Sequence, residues 1–222
     1  MKSGRTVFAQ VMAFLPLPEF HACVARHQGE YTVRNFSCLD QFLCLAFAQL
    51  TFRESLRDIE TCLRAMHPRL YRMGIRGRVA RSTLADANEA RDWRIAADFA
   101  QVLIGISKPL YATEPFGVEL AATVYAFDST TIDLCLALFP WARFRQTKGA
   151  IKLHTLLNLR GNIPEVVYLS DGKRPDVTTL DVLLPDPGAY YVLDRGSLDF
   201  ARLFRFQYAG AFFVSRAKAS LP

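Results

Sequence analysis

Two spacings of apolar residues divide the chain. In the first half, apolar positions recur at helical intervals; in the second, they gather into short runs of the strand type. Ser37 followed by Asp40 fits a capping box, in which each side chain satisfies a free backbone N–H at a helix start. That pair predicts a helix over residues 39–50. Thr51 with Glu54 predicts a second helix through Arg64, with an apolar stripe of Leu56, Ile59, Cys62 and Leu63. Thr83 with Asp86 predicts a third, whose buried face carries Leu84, Ala87, Ile95, Phe99, Val102 and Ile106. Residues 66–81, interrupted by Pro68, Gly74 and Gly77, read as a connection. Residues 7–15 read as a core helix: Gln10 interrupts the apolar run and no A-x-A cleavage site follows, so a signal sequence is a poor fit.

After the loop-like residues 113–117 the runs 122–127, 151–159, 165–169, 189–193 and 211–214 are rich in Val, Ile, Leu, Tyr and Phe. Turn signals such as Arg160-Gly161-Asn162 and Asp186-Pro187-Gly188 separate them, and helical stretches near 178–184 and 198–208 flank the fourth run. The pattern predicts an all-helical module over residues 1–115 and an α/β module over residues 120–222, with the boundary near 115–122.

Composition narrows the function classes. With 51% hydrophobic and 22% charged residues among 222, the chain is globular rather than disordered. A net charge of +6 suits a nucleic-acid partner without proving one. None of the five cysteines forms a C-x-x-C pair, and each sits among apolar neighbours, so they read as buried thiols in a reducing cytoplasm. No apolar stretch reaches the roughly 18 residues of a membrane span.

Two acids stand out. Asp128 follows Val124-Tyr125-Ala126-Phe127, and Asp194 follows Tyr190-Tyr191-Val192-Leu193. Each is the first polar residue after a buried-looking strand, where α/β sheets present functional groups. Brought together, two carboxylates would repel unless a hard cation such as Mg²⁺ or Mn²⁺ lay between them. Taken singly, each Asp reads more readily as a turn residue or helix cap than as a metal ligand.

The segments Phe127-Asp128-Ser129-Thr130, Lys148-Gly149-Ala150-Ile151-Lys152-Leu153-His154, Asp171-Gly172-Lys173-Arg174-Pro175-Asp176-Val177, Val192-Leu193-Asp194-Arg195-Gly196 and Phe212-Phe213-Val214-Ser215-Arg216-Ala217-Lys218 occur in that order. With the leader Ser82-Thr83-Leu84-Ala85-Asp86-Ala87-Asn88-Glu89, they resemble bacterial insertion-sequence transposases of the IS-four family, of the DDE class. The resemblance implies an RNase H-like catalytic domain and metal-dependent DNA cleavage and strand transfer. It matches Asp128 and Asp194 to the first two of three metal-binding acids, with Mg²⁺ or Mn²⁺ as cofactor. Two departures qualify it: Ser197 stands where the family has Tyr, and the Tyr-x-x-Arg-x-x-x-Glu-x-x-x-x-x-x-Lys signature of the third acid does not occur. The expectation is therefore an incomplete RNase H-like domain in a C-terminally truncated chain that is inactive alone.

Between Glu60 and Asp86 there is no acid but six arginines, Arg64, Arg69, Arg72, Arg76, Arg78 and Arg81. Such a single-sign field attracts phosphates. Arg145, Lys148 and Lys152 form a second basic stretch that could hold a DNA backbone near the acids. His154 reads as a satisfied structural histidine, and Asp171 and Asp176 as turn formers. The expected partners are double-stranded DNA (terminal inverted repeats and target) and a second copy or an intact transposase; no membrane partner is expected. Two other readings stay open: a DNA-binding product that competes with intact transposase, and a generic RNase H-like nuclease.

Overall fold

A computed structural model describes residues 5–31, 33–111, 113, 120, 122–134 and 149–217. Two compact units emerge, Met1–Leu103 and Ile104–Pro222.

The first unit is helical: α1 (Val7–Met12), α2 (Leu17–Arg26), α3 (Cys38–Leu50), α4 (Leu56–Ala65), α5 (His67–Leu70), α6 (Arg81–Ala90) and the start of α7 (Arg94–Tyr111). The capping box forms at α3: Ser37 Oγ accepts from Asp40 N–H, and Asp40 accepts from Ser37 N–H. Asp40 is buried and accepts a third bond, from the N–H of Arg76 at 3.2 Å. A carboxylate out of water needs such partners, so α3 and the distant arginine-bearing segment are fixed to one another.

Three helix starts differ from the sequence expectation. Helix α6 begins at Arg81, after Ala80 and with no side-chain cap, and not at Thr83. Helix α4 is capped by Ser55, which accepts from Asp58 N–H, and not by Thr51, whose hydroxyl donates to Phe47 O at the end of α3. Phe52, at φ 55°, sends the chain out of α3 before a new helix can begin. The expected third helix is two helices. Arg91 is extended, its guanidinium donating to the carbonyls of Phe36 and Ser37 and to Gln41, and Asp92 caps α7 by accepting from Arg94 N–H. The break lets Leu84 join a core with Leu43, Cys44, Phe47, Ile59 and Leu63, while Ile95 and Phe99 join another with Phe20, Cys23 and Val24. Ile106, expected inside, is 45% exposed. Phe8 and Met12 of α1, and Leu15 just after it, pack on the first core, whereas Val7 and Val11 face outward; the helix ends at Met12 and not at residue 15. Burial pushes the thiol of Cys38 up to about 11 and that of Cys44 up to about 12, as inert core thiols require.

The second unit holds a mixed five-stranded sheet: β1 (Val124–Leu134), β2 (Gly149–Asn158), β3 (Ile163–Asp171), β4 (Tyr190–Leu193) and β5 (Phe212–Ser215). Its order is β3-β2-β1-β4-β5, with β1–β3 antiparallel and β4 and β5 parallel to β1. Together with flanking helices this is the RNase H-like architecture expected, in an α/β unit after a helical one. Gly161, at φ 78°, makes the β2–β3 turn, and a Cβ there would lie 2.5 Å from Tyr111. Helix α8 (Phe200–Tyr208), capped by Asp199, lays Leu203 and Phe206 on one sheet face. There they meet Tyr125, Phe127, Leu156, Tyr191 and Leu193, with Leu180 from the expected helical stretch, which is a 3₁₀ segment (Asp176–Val182).

His154 lies on this core face, 1% exposed. Its Nδ1 is 2.5 Å from Ser129 Oγ and its Nε2 2.7 Å from Ser170 Oγ. It is the satisfied structural histidine that the sequence suggested. Burial holds its pKa below the ordinary value; Lys152 and Arg174 push the same way and Asp176 opposes them. The unfolded chain therefore takes up this proton at higher pH than the folded one. The stability this implies is complete above about pH 6.5 and is lost as pH falls through the lower folded value.

Two outcomes are expected in urea denaturation of the chain. Asp40→Ala should cost about 1–3 kcal/mol, and Ser55→Ala about 1 kcal/mol, through lost caps and unpaired N–H groups, whereas Glu54→Ala should change stability by less than about 0.5 kcal/mol. Lowering the pH from about 7.5 to about 5.5 should destabilise the wild type more than His154→Gln, in which no imidazole remains to titrate. Equal losses would remove His154 as the source.

Candidate functional site

The register of β1 against β4 sets the geometry of the two acids. The pairs run Val124↔Tyr190, Tyr125↔Tyr191, Ala126↔Val192 and Phe127↔Leu193, so Asp128 and Asp194 are the next residues on adjacent strands. Neighbouring strands lie about 4.8 Å apart. Tyr125, Phe127, Tyr191 and Leu193 enter the core, so alternation turns Asp128 and Asp194 to the opposite face, where both are exposed. Asp194 keeps an extended backbone, φ −69° and ψ 156°, and its carboxylate accepts from Gly196 N–H at 3.4 Å at the start of a short 3₁₀ turn. Ser197, which follows in that turn, is 3% exposed.

One expectation needs correction. Asp128 does not close its strand; β1 continues to Leu134, because β2 pairs with it from Tyr125 to Leu134. What ends beside Asp128 is β4. The acid thus stands on a strand held on one side, with Thr155 as its antiparallel partner.

Both acids present hard oxygen donors, side by side on one exposed face, and this donor set fits a divalent cation. Among the described residues no group of three or more His, Cys, Asp or Glu side chains gathers in a metal-binding arrangement. Glu165 is engaged elsewhere: it pairs with Lys108 and accepts from Asn158, at a bulge where Leu156 pairs with Val166 and Leu157 with Pro164. The rest of the acid-bearing face is apolar and partly open, with Val167, Leu169, Val192, Phe212 and Val214 each between 39% and 53% exposed.

The opposite face carries a polar cluster of which the sequence singled out only some members. Lys152 and His154 share that face, as strand alternation requires. Lys152 donates to Arg174 O at 2.9 Å, and its Nζ lies 3.0 Å from Asp176 Oδ1, an ion pair without hydrogen-bond alignment. Its side chain is only 14% exposed, so it is committed to the core face rather than to solvent. Arg174 bonds Thr178 Oγ1 and the Tyr168 hydroxyl and lies over the Tyr168 ring. Asp171 forms the expected turn, accepting from Lys173 N–H. Ser129 and Ser170 were missed as partners of His154; their signal was a polar residue at an inward position of an alternating strand.

In the helical unit Arg64, Arg69, Arg72, Arg76, Arg78 and Arg81 are all exposed. The backbone beneath them is not loose, since Leu70, Met73, Ile75 and Val79 are buried between them. Arg145 and Lys148 lie outside the described residues. No helix of the described residues is long and apolar enough to cross a membrane.

Comparison with known proteins bears on both units. Residues 3–76 match a family described as a domain of unknown function (DUF4372). No curated protein and no solved structure matches the chain. Residues 119–221, which contain all five described strands and both acids, match the family described as the transposase DDE domain.

Proposed function

We propose that the chain is part of an insertion-element transposase of the IS-four type, in which Asp128 and Asp194 hold Mg²⁺ or Mn²⁺ against the DNA strand to be cut. One observation carries the reading: two exposed carboxylates occupy the same level of adjacent parallel strands, on one face. Their mutual repulsion is relieved by a hard cation. Such ions, when bound, supply Lewis-acid activation of water and of the phosphate oxygens. The protein's own part is placement, with Asp128 on a sheet strand and Asp194 at a turn held by the Gly196 N–H.

The helical unit is the DNA-recognition module in this proposal. The six arginines project from a segment pinned by buried apolar residues and by the Asp40 bond to Arg76 N–H, so their charges reach a duplex without first being ordered. The matching partners are double-stranded terminal inverted repeats and target DNA, together with a second copy or an intact transposase. These 222 residues contain two of the three acids that the family resemblance implies. On the family's three-acid chemistry, these 222 residues tested by themselves bind element ends without cutting them.

Three measurements test this. Mn²⁺ titration followed by electron paramagnetic resonance should show a site that weakens at least about tenfold in Asp128→Asn and in Asp194→Asn; unaltered binding in both overturns the acidic-pair reading. Replacing Arg72, Arg76 and Arg78 together with Ala should flatten the slope of log affinity against log salt by about 2.7, at about 0.9 per phosphate contact. An unchanged slope moves the DNA surface elsewhere. The 222-residue polypeptide, given Mg²⁺ or Mn²⁺ and a duplex carrying element ends, should leave the duplex intact. Cleavage that disappears in Asp128→Ala and Asp194→Ala would show that two acids suffice.

A further inference from the structure

We propose that His154 is a positioning residue for the acidic pair, clamping β1 to β2 and β3 one residue beyond Asp128, where the support of β4 ends. The inference rests on the acidic-pair reading above.

Up to Phe127, β1 is flanked on both sides, by β2 and by β4. From Asp128 onward its only strand partner among the described residues is β2. A strand held on one side has a free row of backbone groups and can swing or fray, yet a metal ligand must be held to about 0.5 Å. The His154 ring sits where that support changes. Ser129 and His154 are register partners, as are His154 and Tyr168, and Ser170 is two residues further along β3. The two imidazole bonds, 2.5 Å to Ser129 Oγ and 2.7 Å to Ser170 Oγ, therefore span three strands.

The bond directions follow from the neighbours. Ser170 Oγ donates to Asp171 O at 3.3 Å, which leaves it to accept from the Nε2–H of His154. Nδ1 then carries the lone pair and accepts from the Ser129 hydroxyl. The ring is fixed sideways by Phe127, parallel at 6.2 Å between centroids, and by Tyr168 at 6.0 Å. It is 1% exposed, so water offers its two ring nitrogens no ready alternative to the serines.

Ser129 points to the core and Asp128 away from it. The imidazole thus touches neither acid nor anything they hold, and it acts through the backbone of the strand. This distinguishes it from a ligand and dictates the test.

The test uses the full chain and two readouts, amide hydrogen exchange across residues 128–131 and Mn²⁺ affinity. His154→Leu keeps an apolar side chain in the core but removes both bonds. Ser129→Ala removes one bond and leaves the ring, which guards against a variant that fails to fold. His154→Gln offers an amide oxygen to Ser129 and an amide N–H to Ser170. Expected are exchange at least about tenfold faster and Mn²⁺ binding about tenfold weaker in His154→Leu and Ser129→Ala, with most of both restored in His154→Gln. Exchange unchanged in both disruptive variants overturns the clamp. Mn²⁺ binding that is lost in Asp128→Asn but unchanged in His154→Leu overturns the positioning role alone. Wild-type Mn²⁺ binding that ignores Asp128→Asn overturns the acidic-pair reading, and the positioning role with it.

Discussion

The parallel pairing of β1 with β4 is the constraint on which the acid-bearing face depends. Because side chains alternate with a period of two, a slip of one residue would turn Asp194 into the core and expose Leu193. The register resists that slip because Tyr191 and Leu193 are packed against Phe206 and Leu203 of α8, and Tyr191 meets Phe206 edge to face at 4.9 Å. The Tyr191 hydroxyl also accepts from the N–H of Asp186, tying β4 to the turn that precedes it. Apolar burial on one face thus fixes the level of two charges on the other.

The core face is less simple than an apolar layer. Lys152, Asp176, Arg174, Tyr168, His154, Ser129 and Ser170 form adjoining polar contacts beside the aromatic cluster. Buried polar groups add little net stability when paired and cost much when a partner is lost, so their main effect is to specify one arrangement. That specification bears on the strand that carries Asp128. Lys152, which the sequence grouped with Arg145 and Lys148, is a member of this cluster through Asp176 and Arg174.

In the helical unit a single buried carboxylate has a comparable role. Asp40 caps α3 and accepts from Arg76 N–H, so the start of a core helix and the middle of the arginine segment share one hydrogen-bond centre. Apolar residues at 70, 73, 75 and 79 are buried on the inner side of that segment, while arginines at 69, 72, 76 and 78 are exposed. An ordered backbone is what turns a run of basic residues into a surface of defined shape.

Local chemistry alone determined much of this. The Ser37–Asp40 box, the Gly161 turn, the strand runs and the buried thiols of Cys23, Cys38 and Cys44 depend on neighbours within a few residues, and these the sequence displays; Cys62 is half-buried and Cys135 lies outside the described residues. It misplaced what depends on competition between equally good local signals. Thr51 and Ser55 both fit a helix start, and the left-handed Phe52 decided for Ser55. The break at Arg91 depends on carbonyls at 36 and 37, far along the chain, which no helical periodicity could reveal. The two acids were visible as strand-following aspartates, but their common level and face come from the β1–β4 register, a pairing between segments about sixty residues apart that only packing selects. The serines on either side of His154 became partners for the same reason: hydrogen bonds across a sheet are set by which strands lie side by side, and that is a property of the folded chain.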